Sequence, residues 1–320
     1  MNNIKPRWIK TDKENFPKGD WFVEYFTKGE FHAHQIKRYL DSYKTEFQTA
    51  TLVETRSFGK VLIIDRETQS SELDEFIYHE ALVLPALLIH KDPKNFAILG
   101  GGEGATLREI LSYKNAKSVI MADIDHNILN FSKSYLKKWH QGSFYDPRTT
   151  LVVQDARKFI ENTKLKFDII YSDLPSPIKG GPAYKLYTLE FYKILKSKLS
   201  SGGIFAMQSG PAHILQLELV SALYRTLSKI FKYVGAYTFY IPSYDMPWSY
   251  TISSDYNIFN INEKIINNKI KKMFSKKLKL IDSKILKGLF NLPLYIKEEI
   301  EKNKKIITEK KPVFFSTSRY

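Results

Sequence analysis

The sequence predicts an α/β protein: a small antiparallel β unit followed by a mostly parallel sheet whose strands alternate with helices. Three observations carry this expectation. Before about Leu73, two strand-like stretches, TATLVETR and KVLIIDR, are joined at Ser57-Phe58-Gly59 in the form of a hairpin turn. From Asp74 onward, short apolar runs (KNFAILG, SVIMADID, TTLVVQD, FDIIYSD, GGIFAMQSG) alternate with segments of helical period that begin with DEFIYHEALVLPALL. Finally, acidic residues stand where four of these runs end: Glu103, Asp123, Asp155 and Asp173.

With 320 residues, 43% apolar and 14% aromatic, the chain can fill one large core and a smaller one. The expected division is a β-stranded domain over 1–73, an α/β domain over 74–255 and a basic, mainly helical extension over 256–320 packed on the α/β domain. Within the middle part, the helix PAHILQLELVSALYRTLSKIF precedes two strands, YVGAYTFYIP and WSYTISSD, that complete the sheet. The polar opening MNNIKPRWIKTDKENF has no apolar signal core, and the longest apolar stretch, residues 81–89, is too short to span a bilayer. A cytoplasmic protein is expected. The absence of cysteine excludes disulfides, thiolate metal sites and a cysteine nucleophile. No paired metal-ligand spacing such as HExxH occurs among the seven histidines, so no metal is expected, and Ser209 in MQSGPA lacks the G-x-S-x-G elbow of serine hydrolases.

The net charge of +15 is unevenly spread, since residues 256–320 hold sixteen Lys/Arg against six Asp/Glu and so contribute +10 of it. There the lysines interleave with Ile, Leu and Phe (IINNKIKKMFSKKLKLIDSKILKGLF), the pattern of an amphipathic helix with a solvated cationic face. A surface for nucleic acid, membrane or an acidic partner is the alternative reading of that segment. Neither nucleic acid nor membrane is expected as a partner.

Ligands of an open α/β sheet bind at the carboxyl ends of its strands, so the four acids should converge on one crevice. Such a crevice repels phosphate and suits a polycation handled beside a nucleoside. Gly100-Gly101-Gly102-Glu103-Gly104 follows an apolar run and opens a helix, which permits a tight turn and close backbone approach to a ligand. Glu103, at the mouth of that helix, would oppose a pyrophosphate but can hold an ammonium; a plain first-turn helix acid is the alternative. Asp123 lies 23 residues beyond Gly100, the spacing at which a carboxylate accepts both ribose hydroxyls, whereas Asp125 reads as a helix N-cap. Asp155 can accept from an exocyclic amine such as adenine N6, or cap the helix ARKFIENT. Asp173 precedes LPSPIKGGPAYKLYT, too rich in Pro and Gly to be helical. A carboxylate there can take a proton from an attacking amine or hold it in line, because alkyl transfer needs a neutral nitrogen; a structural role is the alternative. Trp21, Tyr78, His79, Tyr244 and Tyr250 offer aromatic faces and hydroxyls to an alkylammonium, against the alternative of core packing, which for His79 includes bracing a loop.

The motifs FGKVLIID, QSSELDEFIYHEALVLPALL, ILGGGEGATLREIL, ADID, DPRTTLVVQDAR, YSDLPSPIKGGPAYKLYTLEFY and IPSYDMPW cover nearly the whole chain. Together they resemble the polyamine aminopropyltransferases, the spermidine and spermine synthases. GGGEG, GGPAYKLYTLEFY and QSGPA followed by FKYVGAYTFYIPSY look most like the thermospermine synthase branch, while WHQGSFYDPR is similar to bacterial triamine-type enzymes. The resemblance implies a methyltransferase-like (Rossmann-type) sheet behind the N-terminal β domain. It further implies decarboxylated S-adenosylmethionine as aminopropyl donor, release of methylthioadenosine, no tightly bound cofactor, and N-terminal strands that build a dimer or tetramer. Carried over by motif, Gln48 and Asp123 would hold the ribose, and Asp155, Ala156 and Pro182 would surround the adenine. Gly100, Gly101, Gly102 and Ile124 complete the donor site. Glu103 would hold the donor's ammonium, Tyr78 and His79 would contact the polyamine, and Trp21, Ser176, Gln208 and Tyr244 belong with the same substrate. Asp173 matches the catalytic aspartate.

One position departs from the family, whose catalytic loop reads Asp-x-x-Asp-Pro: here Ser176 replaces the second acid in Asp173-Leu174-Pro175-Ser176-Pro177. A serine cannot neutralise an ammonium, so the departure bears on the acceptor. Spermidine is the expected acceptor, with putrescine or an agmatine derivative as alternatives. The more distant rivals are an S-adenosylmethionine-dependent amine methyltransferase, whose donor carboxylate Glu103 would repel, and a nucleic-acid-binding protein on a degenerate enzyme fold, against which the intact acids argue.

Overall fold

The computed structural model describes residues 18–27, 29–179 and 181–315, and the chain divides into two compact units. Of these described residues, the first unit holds those from 18 to 75 and the turn 242–245, and the second holds those from 76 to 241 and from 246 to 315.

In the first unit, β1 (Trp21–Thr27), β2 (Glu30–Lys44), β3 (Thr49–Thr55), β4 (Gly59–Ile64) and β5 (Glu67–Ser71) form one sheet in chain order, each strand antiparallel to the next. The predicted hairpin at Ser57-Phe58-Gly59 closes on the pair Thr55–Gly59, where Thr55 Oγ1 accepts from Phe58 N (3.0 Å) and Gly59 takes φ 67°. Phe22, Val53, Val61 and Ile63 make its small core. Asp74, buried, accepts from Ser71 Oγ (2.6 Å), Ser243 N (2.6 Å) and Ser243 Oγ (2.9 Å), so one carboxylate fixes the distant turn 242–245 within this unit.

The second unit opens with α1 (Glu75–Ile89) and continues through β6 (Asn95–Gly100), α2 (Ala105–Leu111), β7 (Ser118–Asp123), α3 (His126–Tyr135), α4 (Lys137–His140), β8 (Thr149–Val153), α5 (Ala156–Asn162) and β9 (Phe167–Asp173). Then come α6 (Leu189–Ser197), β10 (Leu199–Pro211), α7 (Glu218–Ser228), β11 (Tyr233–Ile241), β12 (Met246–Ser254), α8 (Glu263–Met273), α9 (Ser283–Gly288) and α10 (Leu294–Lys302). The sheet order is β11-β12-β10-β9-β6-β7-β8, parallel from β10 to β8 and antiparallel at β12 and β11. The chain starts at β6 in the middle, builds outward to β8, then crosses back to β9. The strand order therefore reverses between β6 and β9, the place where an open α/β sheet leaves a crevice for ligands.

Because β6 is covered on both faces, its apolar run is continuous rather than alternating: Phe96 and Ile98 enter one core cluster, Ala97 and Leu99 the other. The run 81–89 belongs to α1, and among the described residues no helix is long and apolar enough to cross a membrane. Pro85, inside α1, has no N–H to offer the carbonyl of Ala81; the Tyr237 hydroxyl donates to that oxygen instead (2.9 Å).

Three local expectations change. Residues 211–217 are not helical, because β10 runs on to Pro211 and a turn closes from Gln216 N to His213 O (2.8 Å) before α7 begins at Glu218. The loop after Asp173 contains a 3-10 turn over Pro182–Tyr187, with Pro182 at its start, where a missing N–H costs nothing. The amphipathic tail is broken between α8 and α9. There the backbone N–H groups of Lys279 and Leu280 donate to the buried carboxylate of Glu80 instead of continuing a helix (2.9 and 2.8 Å), and Asp282 restarts the helix by capping Ile285 N.

Candidate active site

Pairing of β6 with β9 sets Gly100 opposite Asp173, and β7 ends at Asp123 beside them. The loop after β6 runs between these carboxylates. A Cβ on Gly100 would lie 2.4 Å from Asp173 O, and one on Gly102 would lie 3.1 Å from Asp123 Oδ2. Glycine is required at Gly100 twice over, since its φ of 81° is also unfavourable for other residues. Glu103 follows, partly buried, just before Gly104 caps α2.

The Asp173 carboxylate is held from two helices. Tyr78 Oη on α1 donates to Oδ1 (2.8 Å), and Thr106 Oγ1 in the first turn of α2 donates to Oδ2 (2.6 Å). Behind Tyr78, the fully buried Tyr250 meets its ring edge-on at 5.7 Å and stacks on Tyr237 at 5.5 Å. Tyr250 is thus core support for Tyr78 rather than pocket wall, because its place in β12 turns it into the main cluster. His79, buried, lies edge-on to Tyr78 at 5.0 Å. The loop after Asp173 is braced by Gln208, whose Nε2 donates to Leu174 O (2.8 Å) and Tyr187 Oη (3.0 Å) while its Oε1 accepts from Gly210 N (2.8 Å). Gln208 was expected to meet substrate; its carboxamide is engaged in holding this loop. Tyr187 in turn donates to Leu174 O (3.2 Å) and Pro175 O (3.0 Å), and Ser176 is buried in the same loop.

At the end of β7, Asp123 Oδ1 accepts from Asp125 N (2.9 Å), and Asp125 caps α3 through Asn127 N and Ile128 N. Ile124 between them is partly buried. Asp155 caps α5, accepting from Lys158 N (2.9 Å), and buried Ala156 starts that helix. The remaining expected residues belong to the first unit. Trp21 opens β1 and lines a cavity with His32, His34 and Phe58; Gln48 closes the β2–β3 turn onto Thr45; Tyr244, buried, donates its hydroxyl to Gln69 O. Thr106, the second donor to Asp173, and Tyr187, the loop brace, were not singled out from the sequence. The only signal for either is its place inside the GGGEGAT and GGPAYKLYT motifs. Among the described residues, no three His, Asp or Glu side chains cluster as metal ligands.

The Asp123 carboxyl is surrounded by protein and faces the charges of Asp125 and Asp173. Burial first, and then those carboxylates, raise its pKa from 3.8 to about 6. A raised native pKa means that the folded state holds the proton more tightly than the unfolded chain, so Asp123 weakens the fold as pH climbs from about 4 through 6. Asp123→Asn should therefore gain stability relative to the unmodified protein between pH 4.5 and 7.5, by at most about 2–3 kcal/mol. Urea unfolding at the two pH values measures this; a difference that does not change with pH would contradict the buried, crowded carboxylate.

Residues 75–265 match the spermine/spermidine synthase domain and residues 20–72 the spermidine synthase tetramerisation domain. The chain is 44% identical over 294 residues to a polyamine aminopropyltransferase of Sulfurisphaera tokodaii, covering 92% of this chain and 97% of the relative. It is also 44% identical over 295 residues to one of Sulfolobus acidocaldarius, again covering 92% and 97%. A crystal structure of spermidine synthase from Thermotoga maritima superposes with a TM-score of 0.81 at 28% identity, over 91% of this chain and 97% of that one. A spermidine synthase in complex with the transition state analogue AdoDATO gives the same score and identity over 92% and 97%. These matches, over nearly the whole chain, show that it belongs to the spermine/spermidine synthase family of polyamine aminopropyltransferases.

Proposed function

We propose that this enzyme transfers the aminopropyl group of decarboxylated S-adenosylmethionine to spermidine, giving thermospermine and methylthioadenosine. The observation that carries the reading is the Asp173 carboxylate, fixed by Tyr78 and Thr106 at the switch point of the sheet and level with Asp123. Asp123 holds the donor ribose, Ile124, Asp155, Ala156 and Pro182 surround the adenine, and Glu103 holds the donor's ammonium. The acceptor lies along Tyr78 and His79. Its neutral primary amine attacks the methylene carbon next to the sulfonium. As the C–N bond forms, the C–S bond breaks, and its electron pair leaves with sulfur as a neutral thioether. The nitrogen's proton passes to Asp173 and then to solvent. Because the sulfonium leaves readily, the protein's contribution is alignment and the neutral amine.

Spermidine is favoured over a diamine by Ser176. With one nitrogen neutral and in attack, spermidine still brings two ammonium groups to the polar groups of the site, whereas putrescine brings one and has more need of the missing acid. A second reading, spermidine synthase, is supported by the names of the two solved relatives. Self-association through the first unit is supported by the tetramerisation-domain match of residues 20–72.

Asp173→Asn keeps the shape but removes the base, and turnover should fall about 100-fold or more while donor affinity changes far less. Steady-state rates beside donor titrations measure this, and near-normal turnover would leave Asp173 a structural role only.

For the acceptor, mass spectrometry of products from decarboxylated S-adenosylmethionine and a panel of amines should show higher kcat/KM for spermidine than for putrescine. Ser176→Asp should improve putrescine use by about tenfold through one charge-assisted contact. Efficient putrescine turnover with spermidine a poor substrate would replace thermospermine synthase by spermidine synthase.

A further inference from the structure

We propose that Lys276, in the basic tail, is a positioning residue for Asp173: one cation rivets together the two helices that hold the reacting carboxylate. The proposal rests on the reading of Asp173 as the group that receives the attacking amine.

The geometry is a closed frame within the second unit. Tyr78 on α1 and Thr106 on α2 each take one oxygen of Asp173. Two residues after Tyr78 comes Glu80, and three after Thr106 comes Glu109; both are wholly buried. Lys276 Nζ lies 3.1 Å from Glu80 Oε1 and 2.6 Å from Glu109 Oε1, so it bridges the helices. The segment carrying it is anchored on both sides. Ser275 N donates to Ser112 O at the end of α2 (2.8 Å), and Lys279 N and Leu280 N donate to Glu80. Arg108 is the second cation of the cluster, giving Nη2 to Glu109 Oε1 (2.7 Å) and Nη1 to Trp139 O (2.6 Å).

Two carboxylates and two cations balance. Without Lys276, Glu109 keeps Arg108 but Glu80 keeps only the backbone N–H groups of Lys279 and Leu280, and an uncompensated buried charge is costly enough to move its surroundings. The cheapest movement is separation of α1 from α2. That separation acts on Asp173 directly, because each helix supplies one of its two donors. A change of about 1 Å in the placement of a reacting group can cost 100-fold in rate. The break in the tail's helix therefore has a functional reading as well as a structural one: it delivers a lysine to the gap between the helices.

The test is a double-mutant cycle on kcat with Lys276→Met and Tyr78→Phe, at saturating decarboxylated S-adenosylmethionine and with whichever of spermidine or putrescine the unmodified enzyme uses. Lys276→Met should lower kcat roughly tenfold or more, with acceptor KM and donor affinity changed less than about threefold. Lys276→Arg should restore most of the rate. In the double variant the losses should not add, because the bond removed by Tyr78→Phe is already misplaced. Lys287→Met, which removes an exposed ion pair with Glu263 in the same tail, should leave kcat unchanged. Where Lys276→Met gives no folded protein, Lys276→Gln carries the same cycle. Additive losses, or a lowered urea midpoint with unchanged kcat, would overturn the positioning role. Failure of the underlying reading is separately visible, as undiminished turnover by Asp173→Asn.

Discussion

The parallel contact between β6 and β9 is the constraint on which the site depends. It brings Gly100 to within a Cβ's reach of the Asp173 carbonyl and so fixes the glycine loop, the start of α2 and the Asp173 side chain in one register. Thr106 can reach Asp173 only because α2 starts immediately beyond that contact. Tyr78 takes the other carboxylate oxygen, backed by the stack of Tyr250 on Tyr237. The same convergence has an electrostatic cost. Burial first, and then the charges of Asp125 and Asp173, raise the pKa of Asp123 to about 6.

Much of this was legible because the parallel strands are buried on both faces and so appear as uninterrupted apolar runs whose ends are easily seen. Asp123 and Asp173 stand at those ends, and the glycine loop between them needs the one residue type that fits. The tail shows the limit. Its period was visible, but its break was not, since Glu80, which captures the backbone of Lys279, lies 199 residues away in the chain. Thr106 looks like any threonine in a first helical turn until β9 is placed beside β6. Gln208 shows the converse: a polar residue inside a family motif, expected to meet substrate, has its carboxamide committed to the loop that follows Asp173.

The chain's charge divides in a related way. Two of the tail's lysines, Lys269 and Lys276, are half-buried, while its other lysines among the described residues lie exposed, as a solvated cationic face requires. Lys269 donates to the carbonyl of His90 just past the end of α1, where a cation opposes the helix dipole, and burial brings its pKa from 10.5 to about 8. Lys276 lies between buried carboxylates.

The central claim is that an acidic crevice selects a donor lacking a carboxylate. Calorimetric titration with decarboxylated and intact S-adenosylmethionine tests it most directly. Binding of the decarboxylated donor at least about tenfold tighter is expected, since one unfavourable charge contact of about 1.4 kcal/mol at Glu103 suffices. Equal affinity for the two donors, accompanied by methyl rather than aminopropyl transfer to the amine, would contradict it.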